Sequence, residues 1–167
     1  MQRTPEQAIE QAYRRYFAVI SNKCARMLGD SQEATDIAQE TFTRLWERRR
    51  TLRDSLAITA WIYQTSTRLA IERFRRRALS AKTVDTTLEA ELATSEDPET
   101  RAHFRQLLFR LSRELTEREL EVAILSRLDE LTQTEIADVL KCSERTVRRV
   151  LVQIDERARD LSEETMK

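Results

Sequence analysis

The sequence is poor in the residues that interrupt helices. It contains one glycine and two prolines among 167 residues, which leaves too few turn residues for a protein made of many short β-strands. Alanine, leucine, glutamate, glutamine and arginine are abundant, and all of them favour helix. The composition therefore predicts an all-α fold.

Cysteine and histidine are also scarce. Cys24 and Cys142 lie far apart in the chain, and each suits an apolar helical or turn position, so we expect no disulfide in a reducing compartment. His103 is the only histidine, and no zinc-ligand set of usual spacing can be assembled around it. We expect no metal and no cofactor.

Motifs of catalysis are missing as well. The chain has no glycine-rich phosphate loop, no nucleophile elbow and no histidine beside a plausible nucleophile. Its paired carboxylates lie on charged helices, where they are usually solvated. The sequence thus predicts no catalytic residues and a protein that is not an enzyme.

Long apolar runs are absent too. No stretch approaches the length that spans a bilayer, and the first six residues lack the apolar segment of a signal peptide. These features predict a cytoplasmic protein without membrane insertion.

Helical periodicity organises the first part of the chain, residues 1–78, into a predicted domain of three helices. The first should run from Pro5 to Leu28, with a capping box of Thr4 and Gln7 before it and Gly29 ending it. The second should cover about 31–49 and the third about 56–77. We expect these aromatic side chains in the core: Tyr13, Tyr16, Phe17, Phe42 and Trp46.

The second part of the chain begins after a predicted acidic linker, residues 79–102, which lacks an amphipathic period. Residues 103–167 form the second predicted domain. A capping box of Thr116 and Glu119 starts one of its helices. We therefore predict two small helical domains joined by an acidic linker.

A helix-turn-helix is the clearest motif of the second domain. Residues 130–151 contain a capping box of Thr132 and Glu135, an apolar helix face, a short turn and a second helix starting at Ser143. Outside the apolar face, this segment is mostly basic: Lys141, Arg145, Arg148 and Arg149. A helix-turn-helix places the start of its second helix in the DNA major groove, where positive charge meets phosphates and guanine edges. The pattern predicts DNA binding.

Motifs in both halves resemble one family. Asp36–Trp46 has the family's pattern of an acidic residue, two apolar residues, Gln-Glu, then Phe and Leu-Trp. Ala60–Tyr63 and residues 69–77 resemble a helix that faces melted promoter DNA, and residues 115–119 and 131–151 resemble the second conserved domain. Together, these segments resemble the extracytoplasmic-function (ECF) sigma factors of bacterial RNA polymerase.

The resemblance implies an RNA polymerase sigma factor that directs promoter-specific transcription initiation. The first domain would bind core RNA polymerase and help recognise and melt the −10 region, and the second would read the −35 element. An anti-sigma factor is a further expectation of the resemblance. The expected polymerase-binding residues share one face of the second helix: Asp36, Gln39, Glu40, Thr43 and Arg44.

The expected promoter contacts fall into two sets. The −35 set is Lys141, Ser143, Glu144, Arg145, Thr146, Arg148 and Arg149. The −10 set is Arg53, Asp54, Ser55, Thr65, Arg68, Arg73, Arg75, Arg76 and Arg77. The arginines that end the third helix could instead stabilise the helix by interacting with its dipole. Thr65 and its neighbours Ser66 and Thr67 could face DNA or pack with back-bonded hydroxyls.

Several positions depart from the family pattern, Arg68 and Lys141 among them. Arg68 stands where the family usually has asparagine, and Lys141 replaces the usual glycine of the turn, which implies a side-chain cost there. Two alternatives remain at this point. The helix-turn-helix also resembles LuxR-type regulators, and the near balance of charges is compatible with a helical adaptor that binds a transcription protein.

Overall fold

The computed structural model describes residues 4–52, 54–80 and 97–165. These residues form seven helices and, within those ranges, no strand. The helices are α1 (Pro5–Leu28), α2 (Ser31–Glu47), α3 (Ser55–Ser80), α4 (Pro98–Glu114), α5 (Glu117–Arg127), α6 (Gln133–Leu140) and α7 (Glu144–Thr165). The predicted all-α class is confirmed.

Short-range hydrogen bonds explain where most helices begin. In α1, Thr4 and Gln7 form the predicted capping box, and Gly29 ends the helix in the left-handed region at φ 68°. Reciprocal capping boxes also start α5 (Thr116 and Glu119) and α6. Each box satisfies backbone N–H groups that have no partner in the first turn of a helix.

Helices α1, α2 and α3 enclose the core of the N-terminal domain, and α1 packs against both of the others. Its fully buried large side chains are Ile20, Met27, Ile37, Leu45, Ile62 and Ile71. Burying each such side chain stabilises the fold by about 1.5–3 kcal/mol. This apolar interior fixes which faces of α2 and α3 remain at the surface.

The C-terminal domain is built around α5, which contacts α4, α6 and α7. Leu120, Val122, Ile124 and Leu125 are all buried, so α5 has apolar contacts on several sides. Ile136 of α6 and Val147 of α7 complete the centre of this domain, and both are fully buried. Apolar contacts with α5 therefore support both helices of the predicted helix-turn-helix.

The two domains also pack against each other. Helix α3 contacts α5 and α6, and α1 contacts α4. The guanidinium of Arg26 lies 5.2 Å from the ring centroid of Phe104 at the second of these contacts. The structure is therefore a closed arrangement in which one face of α3 is covered by the C-terminal domain.

Both ends of the predicted linker, residues 79–102, are helical, although the sequence predicted no helix there. Helix α3 continues through Ser80, and α4 begins at Pro98 because Asp97 caps it by accepting a bond from the Thr100 N–H at 3.0 Å. Proline suits this first position because its missing N–H needs no partner there. Residues 81–96, the remainder of the predicted linker, lie outside the described residues.

Both thiols are free, and burial raises the pKa of Cys24 to about 12. No helix within the described ranges combines the length and apolar character that a membrane-spanning segment needs.

Candidate DNA and polymerase contact surfaces

The turn of the helix-turn-helix depends on a left-handed residue. Lys141 ends α6 at φ 54° and ψ 49°, and its N–H donates to the carbonyl of Ala137. A side chain in this region meets a steric cost that glycine avoids, as the departure from the family pattern predicted. The turn nevertheless brings Ser143 to the start of α7, where the Thr146 N–H donates to its Oγ at 3.1 Å.

Of the expected −35 residues, Lys141 and Ser143 lie in the turn before α7, and the others lie in its first turns. Arg145 and Arg149 are exposed, and their guanidinium groups make no hydrogen bond or ion pair with any residue that the structure describes. Arg148 donates to Gln133 Oε1 at 3.3 Å, and Glu144 accepts from Thr134 at 3.0 Å. These two contacts tie α7 to α6 and leave two guanidinium groups for a ligand.

The arginines that end α3 divide into structural and exposed groups. Arg73 lies 3.5 Å from Glu33 and 3.6 Å from Glu40 of α2. Arg77 lies 2.7 Å from Glu33. Arg76 is exposed, and among the described residues its guanidinium pairs only with the helical neighbour Glu72, at 2.6 Å. Arg73 and Arg77 therefore join α3 to α2, a partnership that the sequence pattern did not indicate.

Arg77 also reaches the start of α2. Its Nη1 donates to the Leu28 carbonyl at 2.8 Å, and its Nη2 lies 2.9 Å from Asp30. Asp30 caps α2 by accepting from the Glu33 N–H at 2.9 Å. That backbone bond and the Arg77 guanidinium hold the pKa of Asp30 below its ordinary value, although partial burial opposes them.

Two further arginines of the −10 set contact the C-terminal domain. Arg68 Nε lies 2.6 Å from Glu121 Oε1, and Arg75 Nη2 donates to the Leu115 carbonyl at 3.3 Å. In this closed arrangement, both guanidinium groups are partly occupied by protein acceptors.

The three hydroxyl residues of α3 have different surroundings. Ser66 and Thr67 are fully buried and each accepts a bond from Lys23 Nζ at 3.0 Å. Thr65 is half-buried and faces a polar groove between α2 and α3. Packing therefore accounts for Ser66 and Thr67, while Thr65 remains accessible.

The groove beside Thr65 combines basic, acidic, amide and aromatic groups. Its lining consists of Arg44, Glu47, Arg48, Trp61, Gln64, Thr65, Arg68, Leu69 and Glu72. Such a set suits single-stranded nucleic acid, since aromatic rings stack on bases and guanidinium groups hold phosphates. The sequence pattern placed Trp61 in a segment that resembles a promoter-facing helix, but it did not indicate Arg48 or Gln64. The recurrence of Trp61, Gln64, Thr65 and Arg68 at helical spacing was the available signal for the groove.

The expected loop between α2 and α3 is only partly described. Arg53 lies outside the described residues. Asp54 caps α3 by accepting a bond from the Ala57 N–H at 3.1 Å, and Ser55 begins the helix. The capping bond thus accounts for an aspartate at this position, and no DNA contact is needed to explain it.

The expected polymerase-binding residues share the exposed side of α2, apart from half-buried Glu40. Asp36 accepts from Gln32 at 3.1 Å, and Glu40 accepts from Arg44 at 2.6 Å. Arg44 lines the polar groove described above, so it lies at the border between two surfaces.

A second groove runs between α1 and α2 beside this face. It is lined by Glu6, Ile9, Glu10, Tyr13, Gln39, Phe42, Thr43 and Trp46. Phe42 is buried as expected, but Tyr13 and Trp46 are 45% and 46% exposed, so their predicted core placement is wrong. The groove therefore has an exposed aromatic rim, a feature that is typical of protein interaction sites.

Comparison with known proteins agrees with the two-domain arrangement. Residues 12–79 match Sigma-70 region 2, and residues 105–153 match Sigma-70, region 4. The chain is 30% identical over 141 residues to the ECF RNA polymerase sigma factor SigW of Bacillus subtilis (strain 168), covering 75% of this chain and 73% of that protein. The chain belongs to the ECF sigma factors.

Membership in the ECF sigma factors establishes the general role as promoter-directed transcription initiation with core RNA polymerase and promoter DNA. The match to region 2 in the N-terminal half does not favour the LuxR-like regulator or the adaptor, which the helix-turn-helix and the charge balance had left open.

Proposed function

We propose that the two domains of this sigma factor divide promoter recognition between them. The C-terminal domain, residues 103–167, reads the −35 element, and the N-terminal domain, residues 1–78, docks on core polymerase and binds the −10 strand. The observation that carries this proposal is the exposure of two guanidinium groups on α7, those of Arg145 and Arg149, which have no ion pair with any described residue. Each bidentate arginine–guanine pair contributes about 1–3 kcal/mol of discrimination between bases.

The −10 strand is assigned to the groove between α2 and α3. Trp61 offers a stacking surface, Thr65 a hydroxyl, and Arg48 a phosphate contact. Arg76 extends the basic surface along the exposed side of α3. The structural ion pairs of Arg73 and Arg77 give these two residues a smaller role in DNA binding than the sequence pattern indicated.

Polymerase docking is assigned to the exposed side of α2 and the adjoining groove. Gln39 and Thr43 belong to both surfaces, and Asp36 supplies an exposed carboxylate. The partner surface would be a basic amphipathic helix whose apolar side covers Tyr13 and Trp46. We extend the proposal to a cytoplasmic, non-enzymatic chain for which polymerase performs all chemistry, with an anti-sigma factor as a further partner.

The test is transcription by purified core polymerase from a promoter library, with and without this protein. New transcripts that start downstream of a shared two-part motif are expected. The Asp36→Ala/Gln39→Ala variant should lose this activity together with core binding. The control is Asp160→Ala/Glu163→Ala, which changes two exposed residues at the far end of α7 and should remain active. Absence of initiation by the folded wild-type protein would contradict the proposal.

A further inference from the structure

One arginine of α5 holds the turn of the helix-turn-helix. Helix α6 ends at Leu140, so the Leu140 carbonyl is one of those that find no backbone partner within the helix. Arg118, in the first turn of α5, donates from Nη2 to this carbonyl. The same peptide bond leads into Lys141, whose backbone is left-handed at φ 54°. Arg118 therefore binds at the strained position of the turn.

A buried carboxylate fixes the direction of the Arg118 side chain. Arg118 Nη1 lies 3.3 Å from Glu121 Oε2, three residues further along α5. The side chain of Glu121 is only 3% exposed, whereas that of Arg118 is 42% exposed. A planar guanidinium presents its N–H groups in a fixed fork, so pairing one nitrogen with the carboxylate sets where the other points. Arg118 thus bridges the central helix of the domain and the turn.

The other end of α6 is also bonded to α5. In the loop that precedes α6, the Leu131 N–H donates to the Leu125 carbonyl at 3.0 Å. The neighbouring Glu130 has φ 53°, and in the described ranges only Glu130 and Lys141 combine a side chain with positive φ. Each turn that flanks α6 therefore has an unfavourable backbone conformation beside a hydrogen bond to α5.

The direction of α7 depends on the turn that Arg118 holds. Only residues 141–143 separate the end of α6 from the start of α7. A rotation of the peptide after Leu140 would swing the first turns of α7, which carry Arg145 and Arg149. Bidentate contact with a guanine requires two hydrogen bonds of good geometry at once. A small rotation is therefore enough to lose it.

We propose that Arg118 is a positioning residue for −35 recognition, which sets, through the Leu140 carbonyl, the angle at which α7 enters the major groove. Glu121 acts one step further back, by orienting Arg118. This inference rests on the proposed reading of the −35 element by α7. It gives Arg118, despite its charge and partial exposure, no contact of its own with DNA phosphate.

The affinity of holoenzyme for promoter DNA, measured in two backgrounds, distinguishes positioning from contact. Arg118→Lys keeps the charge beside Glu121, but an ammonium is a point donor without the fixed fork. In the wild-type background it should weaken binding roughly tenfold, which corresponds to the loss of one bidentate arginine–guanine pair. In the Arg145→Ala/Arg149→Ala background it should have no further effect, because the two groups that it would misplace are gone.

The matched control is Arg127→Lys, the same change on the same helix. Arg127 pairs at 2.6 Å with Asp155, which lies on α7 beyond the reading segment, and the two side chains are 61% and 44% exposed. Because an exposed ion pair contributes little, this variant should bind promoter DNA like the wild type. Circular dichroism verifies that each variant is folded. Arg118→Met, which keeps the apolar stem without the donors, serves as a second variant in the same two backgrounds.

Residual dipolar couplings of backbone N–H groups in the free protein measure the angle between α6 and α7 without DNA. Arg118→Lys should change this angle, and Arg127→Lys should not. Glu121→Gln should also change it, because an amide holds the guanidinium less firmly than a carboxylate does. An unchanged angle in Glu121→Gln would overturn the orienting role of Glu121.

The outcomes separate this inference from the proposed function. An unchanged angle in Arg118→Lys would overturn the positioning role. An equal loss of affinity in both backgrounds would also overturn it and would place Arg118 on a phosphate instead. If Arg145→Ala/Arg149→Ala itself binds promoter DNA like the wild type while Arg118→Lys changes the angle, the −35 assignment fails, whereas control of the α7 angle by Arg118 is retained.

Discussion

Arg77 Nη2 lies 2.9 Å from Asp30 Oδ2, so the last turns of α3 hold the residue that caps α2. Asp30 also accepts a bond from the Glu33 N–H, and Arg77 itself contacts Glu33. This arrangement fixes α2 relative to α3 at the end opposite the proposed DNA groove. These contacts therefore join the helix that carries the proposed polymerase face to the helix that lines the groove.

Acid should weaken this junction. The pKa of Asp30 lies below its ordinary value of 3.8 in the folded protein, so its stabilising contribution is complete above that value and is lost as the pH falls through the folded-state pKa. The Asp30→Asn variant keeps a capping side chain but loses the charge, and should cost about 0.5–1 kcal/mol at neutral pH. Urea unfolding at several pH values measures this.

The matched control for Asp30 is Asp54→Asn. Asp54 caps α3 in the same way but has no arginine partner among the described residues. The Asp54→Asn variant should change the unfolding free energy at neutral pH by less than the Asp30→Asn variant does. Equal losses in the two variants would show that the contact with Arg77 adds nothing.

A glycine in the turn of the helix-turn-helix should make the protein more stable. Lys141 adopts φ 54°, and a residue with a Cβ in this region costs about 1–2 kcal/mol relative to glycine. Lys141→Gly should therefore raise the unfolding free energy by about 1 kcal/mol. Lys141→Ala is the matched control, because it removes the same charge and keeps the Cβ; thermal unfolding of both variants separates the two effects. A glycine variant no more stable than the alanine variant would contradict the strain.

Local signals in the sequence were sufficient to predict most helix boundaries. The capping boxes at Thr4, Thr116 and Thr132 use residues three positions apart, so the helix starts they mark are visible in the sequence alone. Gly29 likewise ended α1 where predicted. The start of α4 was missed because the acidic composition around Asp97 resembled a linker, although Asp-Pro is also a helix start.

Contacts between distant segments could not be predicted in the same way. Lys23 and Asp129 form a buried ion pair at 3.0 Å, but they are separated by most of the chain, and nothing in the composition around either residue indicates that both are buried. The arginine cluster of α3 showed a similar limit. Its charge was evident, but only the packing of α2 against α3 reveals that Arg73 and Arg77 already have carboxylate partners.

The groove between α1 and α2 gives a prediction for polymerase binding. Trp46 is 46% exposed and its ring lies beneath the Arg49 guanidinium at 4.7 Å. Trp46→Ala should weaken binding of core polymerase by about 2 kcal/mol, as expected for an aromatic side chain at the centre of an interface. The unfolding free energy of the Trp46→Ala variant should differ little from that of the wild type. A fluorescence titration with core polymerase measures the affinity.

Val152→Ala serves as the control for Trp46, since it removes a comparably exposed apolar side chain from the other domain. It should bind core polymerase like the wild type. A Trp46→Ala protein that is fully folded and binds normally would exclude this groove from the docking surface.

Salt dependence tests the basic face of α7. Removing one arginine–phosphate interaction reduces the slope of log affinity against log salt by about 1. Arg149→Ala should show this reduction in the binding of holoenzyme to promoter DNA. Arg159→Ala removes another exposed arginine further along the same helix and should keep the wild-type slope. Identical slopes in both variants would show that Arg149 does not contact phosphate.

The most direct test of divided promoter recognition is the selection of promoters from a randomised library by holoenzyme containing either the wild type or Arg145→Ala. The wild type should select two separate elements. The variant should lose base preference at one or two positions of the upstream, −35 element and keep the downstream, −10 element intact. Relaxed preference in the −10 element, or an unchanged −35 element, would contradict the assignment of α7 to the −35 sequence.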